Sequence, residues 1–222
     1  MIDAALPRPF FGVRRITWEE TIPSGGPTRS VKARYARAFD RLRGVNIFRV
    51  HTAHLRQRLL ADPWVKTAVV SKRFPDRLTI RVVARTPAAV EIDEHSEMVL
   101  RDETGVILER GGKDYPAELP RIRHFQQGVY ADALTLAPLL RDRPEAQIDL
   151  SDPDDLRIHL DLRMIHIGRE DFLERWRRYV VIEPDLTAWG PVPLEIDLRF
   201  LDKVVVRRAG GSTATGLSES YL

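Results

Sequence analysis

The stretch from Val45 to Ala89 constrains the fold most, because a helix signal, a turn and two alternating strands follow one another there with almost no spare residues. Leu55, Leu59 and Leu60 recur at helical spacing and place one apolar face on that helix. The predicted elements are a helix from Thr52, strands Val65–Lys72 and Arg77–Ala84, and a turn at Arg73–Asp76. A two-stranded hairpin is not stable alone in water, so we expect the helix to cover its apolar face.

The residues on either side extend this unit and then change its pattern. A strand over Phe11–Glu19 and a helix over Val31–Leu42 precede it, which gives the order strand–helix–helix–strand–strand. After Thr86-Pro87 the chain breaks into short strands, with a long helix predicted over Arg169–Val181. The sequence therefore predicts an α+β protein in which the second half is mainly antiparallel β with one prominent helix.

Composition excludes several classes of site. The sequence has no cysteine, so disulfides, zinc–cysteine sites and thiol nucleophiles are excluded. Its 35 basic and 32 acidic residues are interspersed rather than blocked, which favours a solvated mixed-charge surface over nucleic-acid binding.

No enzymatic motif occurs in the sequence. There is no nucleophile elbow, no Walker-type loop and no dinucleotide fingerprint. His51 and His54 lie three residues apart without a third ligand, and His159 and His166 fall on strands, where packing is the simpler interpretation. The prediction is a protein with no catalytic, cofactor-binding or metal-binding residues.

Four sub-motifs in the first half carry a family resemblance. They are Asn46-Ile47-Phe48-Arg49-Val50, Asp62-Pro63-Trp64-Val65, Arg73-Phe74-Pro75-Asp76-Arg77-Leu78 and Arg85-Thr86-Pro87-Ala88. In order and spacing they resemble the FtsQ-type POTRA domain of the FtsQ/DivIB cell-division family, with Phe74 in place of that family's usual tryptophan. The resemblance implies a POTRA fold of order β-α-α-β-β over residues 10–86, after a flexible lead at 1–9.

The second half resembles the β-domain that follows the POTRA domain in this family. Ile167-Gly168-Arg169 and Ile196-Asp197-Leu198-Arg199-Phe200 carry the likeness. The implied organisation is a β-domain over residues 87–209 and a disordered tail over 210–222, which is rich in glycine, serine and threonine.

The resemblance also implies a function and a surface for it. The family supplies a non-enzymatic divisome scaffold that binds the ectodomains of FtsB and FtsL through its last β-strand region. If Val204–Arg207 ends the sheet, its unpaired backbone row can template a partner strand. The implied partner-binding residues are Arg169, Arg199, Phe200, Leu201, Asp202, Lys203, Val204, Val205 and Val206. Asp197 and Arg199 stand two apart, which fits either a structural ion pair or part of that surface.

The sequence features and the family resemblance predict different cellular compartments. The sequence has no run of about 18 apolar residues and no signal peptide, which by itself predicts a cytoplasmic protein. The family implies an inner-membrane protein at the septum, with one N-terminal anchor, absent from this chain, and its bulk in the periplasm. Two other interpretations stay open: a POTRA-bearing component of outer-membrane export, and a hydrolase whose site forms only in three dimensions.

Overall fold

The computed structural model describes residues 10–23, 30–112, 115–188, 190, 194–208 and 217–218. The chain divides into two compact units, residues 1–86 and 87–222. The predicted lead at 1–9 lies outside the described residues, as does most of the predicted tail.

The first unit is a three-stranded sheet covered by two helices. Its elements are β1 (Arg15–Thr21), α1 (Val31–Asp40), α2 (Thr52–Leu60), β2 (Val65–Arg73) and β3 (Arg77–Ala84). Strand β3 lies in the centre, parallel to β1 and antiparallel to β2. Alternate residues of β3, namely Leu78, Ile80 and Val82, share one core with residues of both helices, so the helices cover the same face of the sheet.

Local chemistry explains how the two helices of this unit begin. Ser30 caps α1, because its hydroxyl oxygen accepts the Ala33 N–H at 3.2 Å. Helix α2 does begin at Thr52, but His51 occupies its cap position and no side chain caps the helix. Helix α2 therefore depends on burying Leu55 and Leu59 rather than on a cap.

Strand β2 departs from the simple alternation expected of it. Simple alternation would place Val65, Thr67 and Val69 on one face, but the register shifts between Val65 and Thr67. An extra residue at such a bulge moves the following side chains to the opposite face. Ala68 is consequently buried, whereas Val69 is exposed.

The second unit is built on one large, mostly antiparallel sheet. Its strands are β4 (Pro87–Ile92), β5 (Met98–Asp102), β6 (Ile107–Arg110), β7 (Arg121–Arg123), β8 (Gln147–Asp149), β9 (Leu156–Leu160), β10 (Arg163–Gly168), β11 (Leu194–Asp197), β12 (Lys203–Arg208) and β13 (Leu217–Ser218). Their order across the sheet is β13-β12-β11-β10-β9-β8-β7-β4-β5-β6. Helices α3 (Tyr130–Leu136) and α4 (Phe172–Ala188) contribute side chains to a core that they share with strands of this sheet. The predicted α+β class, a POTRA arrangement followed by a mainly antiparallel β-domain, is confirmed.

Helix α4 corrects the prediction at both ends. It begins at Phe172 rather than Arg169, because Gly168 and Asp171 have φ values of +69° and +52° that a helix does not permit. It also continues through Pro184 to Ala188. Proline leaves the carbonyl four residues earlier without its usual partner, and here that carbonyl belongs to Val180 on the exposed side of the helix.

The last strand of the sheet is another correction. The sequence ended the sheet at β12, but Leu217 and Ser218 form β13 and pair with Val204 and Lys203. These two residues lie within the segment predicted to be disordered. Glycine, serine and threonine carry no periodic signal from which so short a strand could be predicted.

Candidate partner-binding site

Arg199 is fixed by Asp197 at the end of β11. Its Nε and Nη2 donate to the two Asp197 carboxylate oxygens at 2.9 and 2.7 Å, and its backbone N–H donates to Oδ1 at 3.0 Å. Strand β11 ends at Asp197, so the two residues do not share a strand face, and the chain turn itself brings them together. The structural ion pair foreseen as one alternative is present. Burial opposes ionisation of Asp197, but the hydrogen bonds from Arg199 lower its pKa.

Asp155 is a buried carboxylate that ties three segments to this turn. Its Oδ2 accepts from His166 Nδ1 at 2.5 Å and lies 3.3 Å from both Arg199 Nη1 and Arg157 Nε, while Oδ1 accepts the Gly168 N–H at 3.1 Å. Burial raises the pKa of Asp155, yet the His166 hydrogen bond and the nearby positive charges lower it below its ordinary value. No local sequence signal indicates this role of Asp155, because its partners His166, Gly168 and Arg199 are distant along the chain.

Arg178 on α4 holds the loop between β11 and β12 and was also missed. Its Nη1 donates to the Phe200 carbonyl at 2.6 Å, and its Nη2 donates to the Leu198 carbonyl at 2.8 Å. A planar guanidinium can bridge two carbonyls in this way, whereas an ammonium cannot do so in the same fixed geometry. The loop that carries Phe200 and Leu201 is therefore attached to the long helix.

This loop presents an apolar surface with charged neighbours. Phe200 is 43% exposed and Leu201 is 81% exposed. Lys203 Nζ lies 5.1 Å from the centroid of the Phe200 ring, which is cation–π distance, and Asp202 is exposed beside it. Large exposed side chains next to a strand edge are suited to anchoring a partner.

The side chains of β12 divide between the core and the opposite face. Val204 and Val206 are 7% and 0% exposed, so a partner would meet them only through their backbone. Val205 lies on the other face and is half-buried. Strand β11 pairs with Val205–Arg208, and β13 pairs with only Lys203 and Val204.

Arg169 lies in a polar groove that also includes Arg199. The groove has a volume of about 550 Å³ and is lined by Asp132, Asp154, Gly168, Arg169, Glu170, Arg175 and Arg199. Arg169 donates to Asp132 Oδ2 through Nε at 3.0 Å and Nη2 at 2.7 Å, so its guanidinium already has a partner within the chain. The structure thus brings Arg169 and Arg199 to one groove, while Phe200–Val206 continue from it along the loop and β12.

The part of the chain that the structure describes was compared with two other kinds of feature, a metal site and a membrane-spanning helix. It contains no group of three or more histidine or acidic side chains arranged to hold a metal ion. None of its helices combines the length and the apolar character that crossing a lipid bilayer requires.

The fold and this site define a POTRA domain followed by an FtsQ-type β-domain. Residues 36–85 match the model of the FtsQ-type POTRA domain, and residues 89–199 match that of the C-terminal region of the cell division protein FtsQ/DivIB. The chain belongs to the FtsQ/DivIB family of cell-division proteins.

Curated relatives agree with this assignment. The chain is similar to the cell division protein FtsQ of Koribacter versatilis, with 23% identity over 86% of this chain and 60% of that protein. It is 27% identical to the FtsQ of Cellvibrio japonicus over 75% of this chain and 53% of the relative. It is 37% identical to that of Syntrophotalea carbinolica over 76% and 66%. The chain therefore spans between about half and two thirds of the length of these relatives.

Proposed function

We propose that this chain is a non-enzymatic scaffold of the divisome that binds the ectodomains of FtsB and FtsL through the β12 region. In this proposal the two units lie in the periplasm at the division septum, and the protein is held at the inner membrane by an N-terminal anchor. The membership of the FtsQ/DivIB family supports a role in cell division, and it favours this role over outer-membrane export.

The observation that carries the proposal is the edge of β12. On the side away from β11, β13 pairs only with Lys203 and Val204. Among the described residues, Val205–Arg208 therefore have no strand on that side. An open stretch of this length can accept a partner strand through backbone hydrogen bonds.

The neighbouring side chains supply the means of recognition. Phe200 and Leu201 are exposed on the loop that leads into β12, and Arg178 holds that loop. Backbone pairing provides affinity without much selectivity, whereas an aromatic anchor next to the edge selects a particular partner. The charges of Asp202 and Lys203 add a polar rim to that anchor.

The charge pattern supports binding rather than catalysis. A general acid near neutral pH needs a raised carboxyl pKa, but Asp155 and Asp197 have lowered pKa values and are paired with arginine. Both groups are held ionised as parts of a structural network.

The experiment is calorimetry of this chain with a purified FtsB–FtsL ectodomain complex. A variant that combines Phe200→Ala with Arg208→Pro removes an aromatic anchor and a backbone donor on the open side of β12. Strand β11 bonds to Val205 and Arg207, which leaves the N–H of Arg208 facing away from β11. We expect it to weaken binding by about tenfold or more. Phe200→Ala alone, which leaves the backbone ladder unchanged, should give an intermediate loss.

The control is Leu173→Ala, which removes a comparably exposed apolar side chain from α4. Urea unfolding of each variant establishes that it is folded. Unchanged affinity of a folded double variant, or an equal loss in the Leu173→Ala control, would rule out the β12 region as the binding surface.

A further inference from the structure

Four phenylalanines form a connected, exposed group of rings in the POTRA domain. Consecutive ring centroids are 5.1 Å apart for Phe10 and Phe11, 5.2 Å for Phe11 and Phe48, and 5.1 Å for Phe48 and Phe74. Phe10, Phe48 and Phe74 are 68, 58 and 59% exposed. Exposed apolar residues scattered singly need no explanation, but a connected group marks an interaction surface.

In the phenylalanine cluster, as we call these four residues, hydrogen bonds fix the backbone of Phe11 and Phe48. The Ile47 N–H donates to the Phe11 carbonyl at 2.8 Å, and Asn46 Oδ1 accepts the Phe48 N–H at 3.0 Å. Lys72 Nζ also donates to the Phe48 carbonyl at 3.3 Å. The rings are therefore presented by a fixed framework, which lowers the entropy lost when they are buried.

A row of arginines lies at the same end of the sheet. Arg77 on β3 stands opposite Arg15 on β1 and opposite Arg73 on β2, so three guanidinium groups share one face in adjacent positions. All three are exposed, and none of them forms an ion pair with a described residue. Like charges placed directly opposite one another are unfavourable in a free sheet. This arrangement is relieved when an anionic surface neutralises it.

The chain itself connects the two features. Arg73 precedes Phe74 at the hairpin turn, and the exposed Arg49 follows Phe48. Each of the two stacked rings thus has a guanidinium as its immediate neighbour along the backbone. Aromatic side chains interleaved with arginines match the two layers of an anionic membrane surface, namely phosphates outside and acyl chains beneath.

We propose that the phenylalanine cluster and the arginine row together dock the POTRA domain on an anionic lipid surface. The rings enter the boundary between head groups and acyl chains, and Arg15, Arg73 and Arg77 bind lipid phosphates. Phe10, Phe48 and Phe74 are each more than half exposed and do not line a groove, which fits a flat surface better than an inserted helix. This surface lies in the first unit and does not depend on the β12 edge of the second.

The test is flotation of this chain with vesicles of phosphatidylcholine alone and of phosphatidylcholine mixed with phosphatidylglycerol. We expect binding to the mixed vesicles that weakens as salt is added, because exposed charges are screened. Phe48→Ala with Phe74→Ala should lower the partition constant by about tenfold or more. Arg73→Gln with Arg77→Gln should remove the preference for phosphatidylglycerol.

The matched control is Leu173→Ala with Val180→Ala, a pair of similarly exposed apolar side chains on α4 that should leave flotation unchanged. Circular dichroism melting verifies that each variant is folded, and the arginine pair tests the surface independently of the rings. Failure of the unaltered chain to float with the mixed vesicles would overturn the proposal in favour of a protein occupant. Full binding by the folded phenylalanine variant, or equal binding to both vesicle types, would also overturn it.

Discussion

Arg199 donates two parallel hydrogen bonds to Asp197, the residue two positions before it, and the same guanidinium lies 3.3 Å from the buried Asp155. One arginine thereby joins the exposed loop of the partner-binding site to the interior of the β-domain. The loop conformation depends on a carboxylate that no partner can reach, since the Asp155 side chain is only 3% exposed. The stability of the domain and the shape of the proposed binding site are therefore coupled at this point.

Asp155→Asn should destabilise the β-domain by about 2–4 kcal/mol. Asparagine keeps the size of the side chain but places an amide donor where Asp155 Oδ2 accepts from His166 and faces Arg199. Urea unfolding measures the loss. The neighbouring Asp154 is exposed, and Asp154→Asn should change stability by less than about 0.5 kcal/mol. Equal effects of the two substitutions would contradict this account of the network.

Asp149 should make stability depend on pH in the acid range. Burial raises its pKa, but hydrogen bonds from the Ser151 backbone and from His124 and His159 lower it to about 2, from an ordinary value of 3.8. A lowered pKa stabilises the folded state above the unfolded value, and that contribution disappears as pH falls through the folded value. We expect about 2 kcal/mol to be lost between about pH 4 and pH 2.

The measurement is urea unfolding of the unaltered chain and of Asp149→Asn between pH 5 and pH 2. The stability difference between them should shrink as the pH falls, because the asparagine cannot titrate. The exposed Asp142 supplies the control, since Asp142→Asn should follow the unaltered chain at every pH. A difference that stays constant down to pH 2 would show that Asp149 does not provide the effect.

The sequence predicted those elements best in which periodicity and punctuation agree. Helix α2 and the β2–β3 hairpin lie where leucine spacing, alternation and a proline-containing turn coincide. The long helix was placed correctly in the chain, but it begins later because Asp171 adopts a left-handed conformation, and it ends later because it continues through Pro184, four residues after the exposed Val180. The local sequence pattern therefore does not predict either end of this helix.

The site was predicted less completely, because its geometry comes from residues that are far apart in sequence. Arg169 and Arg199 do line one groove, but Asp155, Asp132 and Arg178, which position that region, carry no local signal. Strand register is similarly long-range, which is why the bulge in β2 and the pairing of β13 were missed. Contacts between distant segments determine which polar residue connects several segments and which strand edge stays open.

Removal of the C-terminal segment after Arg208 should strengthen binding of the FtsB–FtsL ectodomain by a few-fold, on the order of 1 kcal/mol. This truncation deletes β13 and frees the backbone of Lys203 and Val204 for an incoming strand. Calorimetry against the unaltered chain measures the gain. A second truncation, after Ser218, retains β13 and should bind as the unaltered chain does. If the two truncations behave alike, β13 does not compete for the edge.

Gly168→Ala should destabilise the β-domain well beyond the cost of its backbone conformation. Gly168 has φ +69° at the end of β10, and a Cβ there would lie 2.5 Å from Arg175 Nη1. That nitrogen is buried and donates to the Ile167 carbonyl at 2.7 Å, so it cannot move away without losing its acceptor.

Gly111 offers a matched control, because its φ is +68° and a Cβ there would meet nothing within 4 Å. Gly111→Ala should cost about 1–2 kcal/mol from conformation alone, and Gly168→Ala should cost about 1–3 kcal/mol more. Urea unfolding of both variants separates the two contributions, and equal losses would mean that Arg175 yields to the added methyl group.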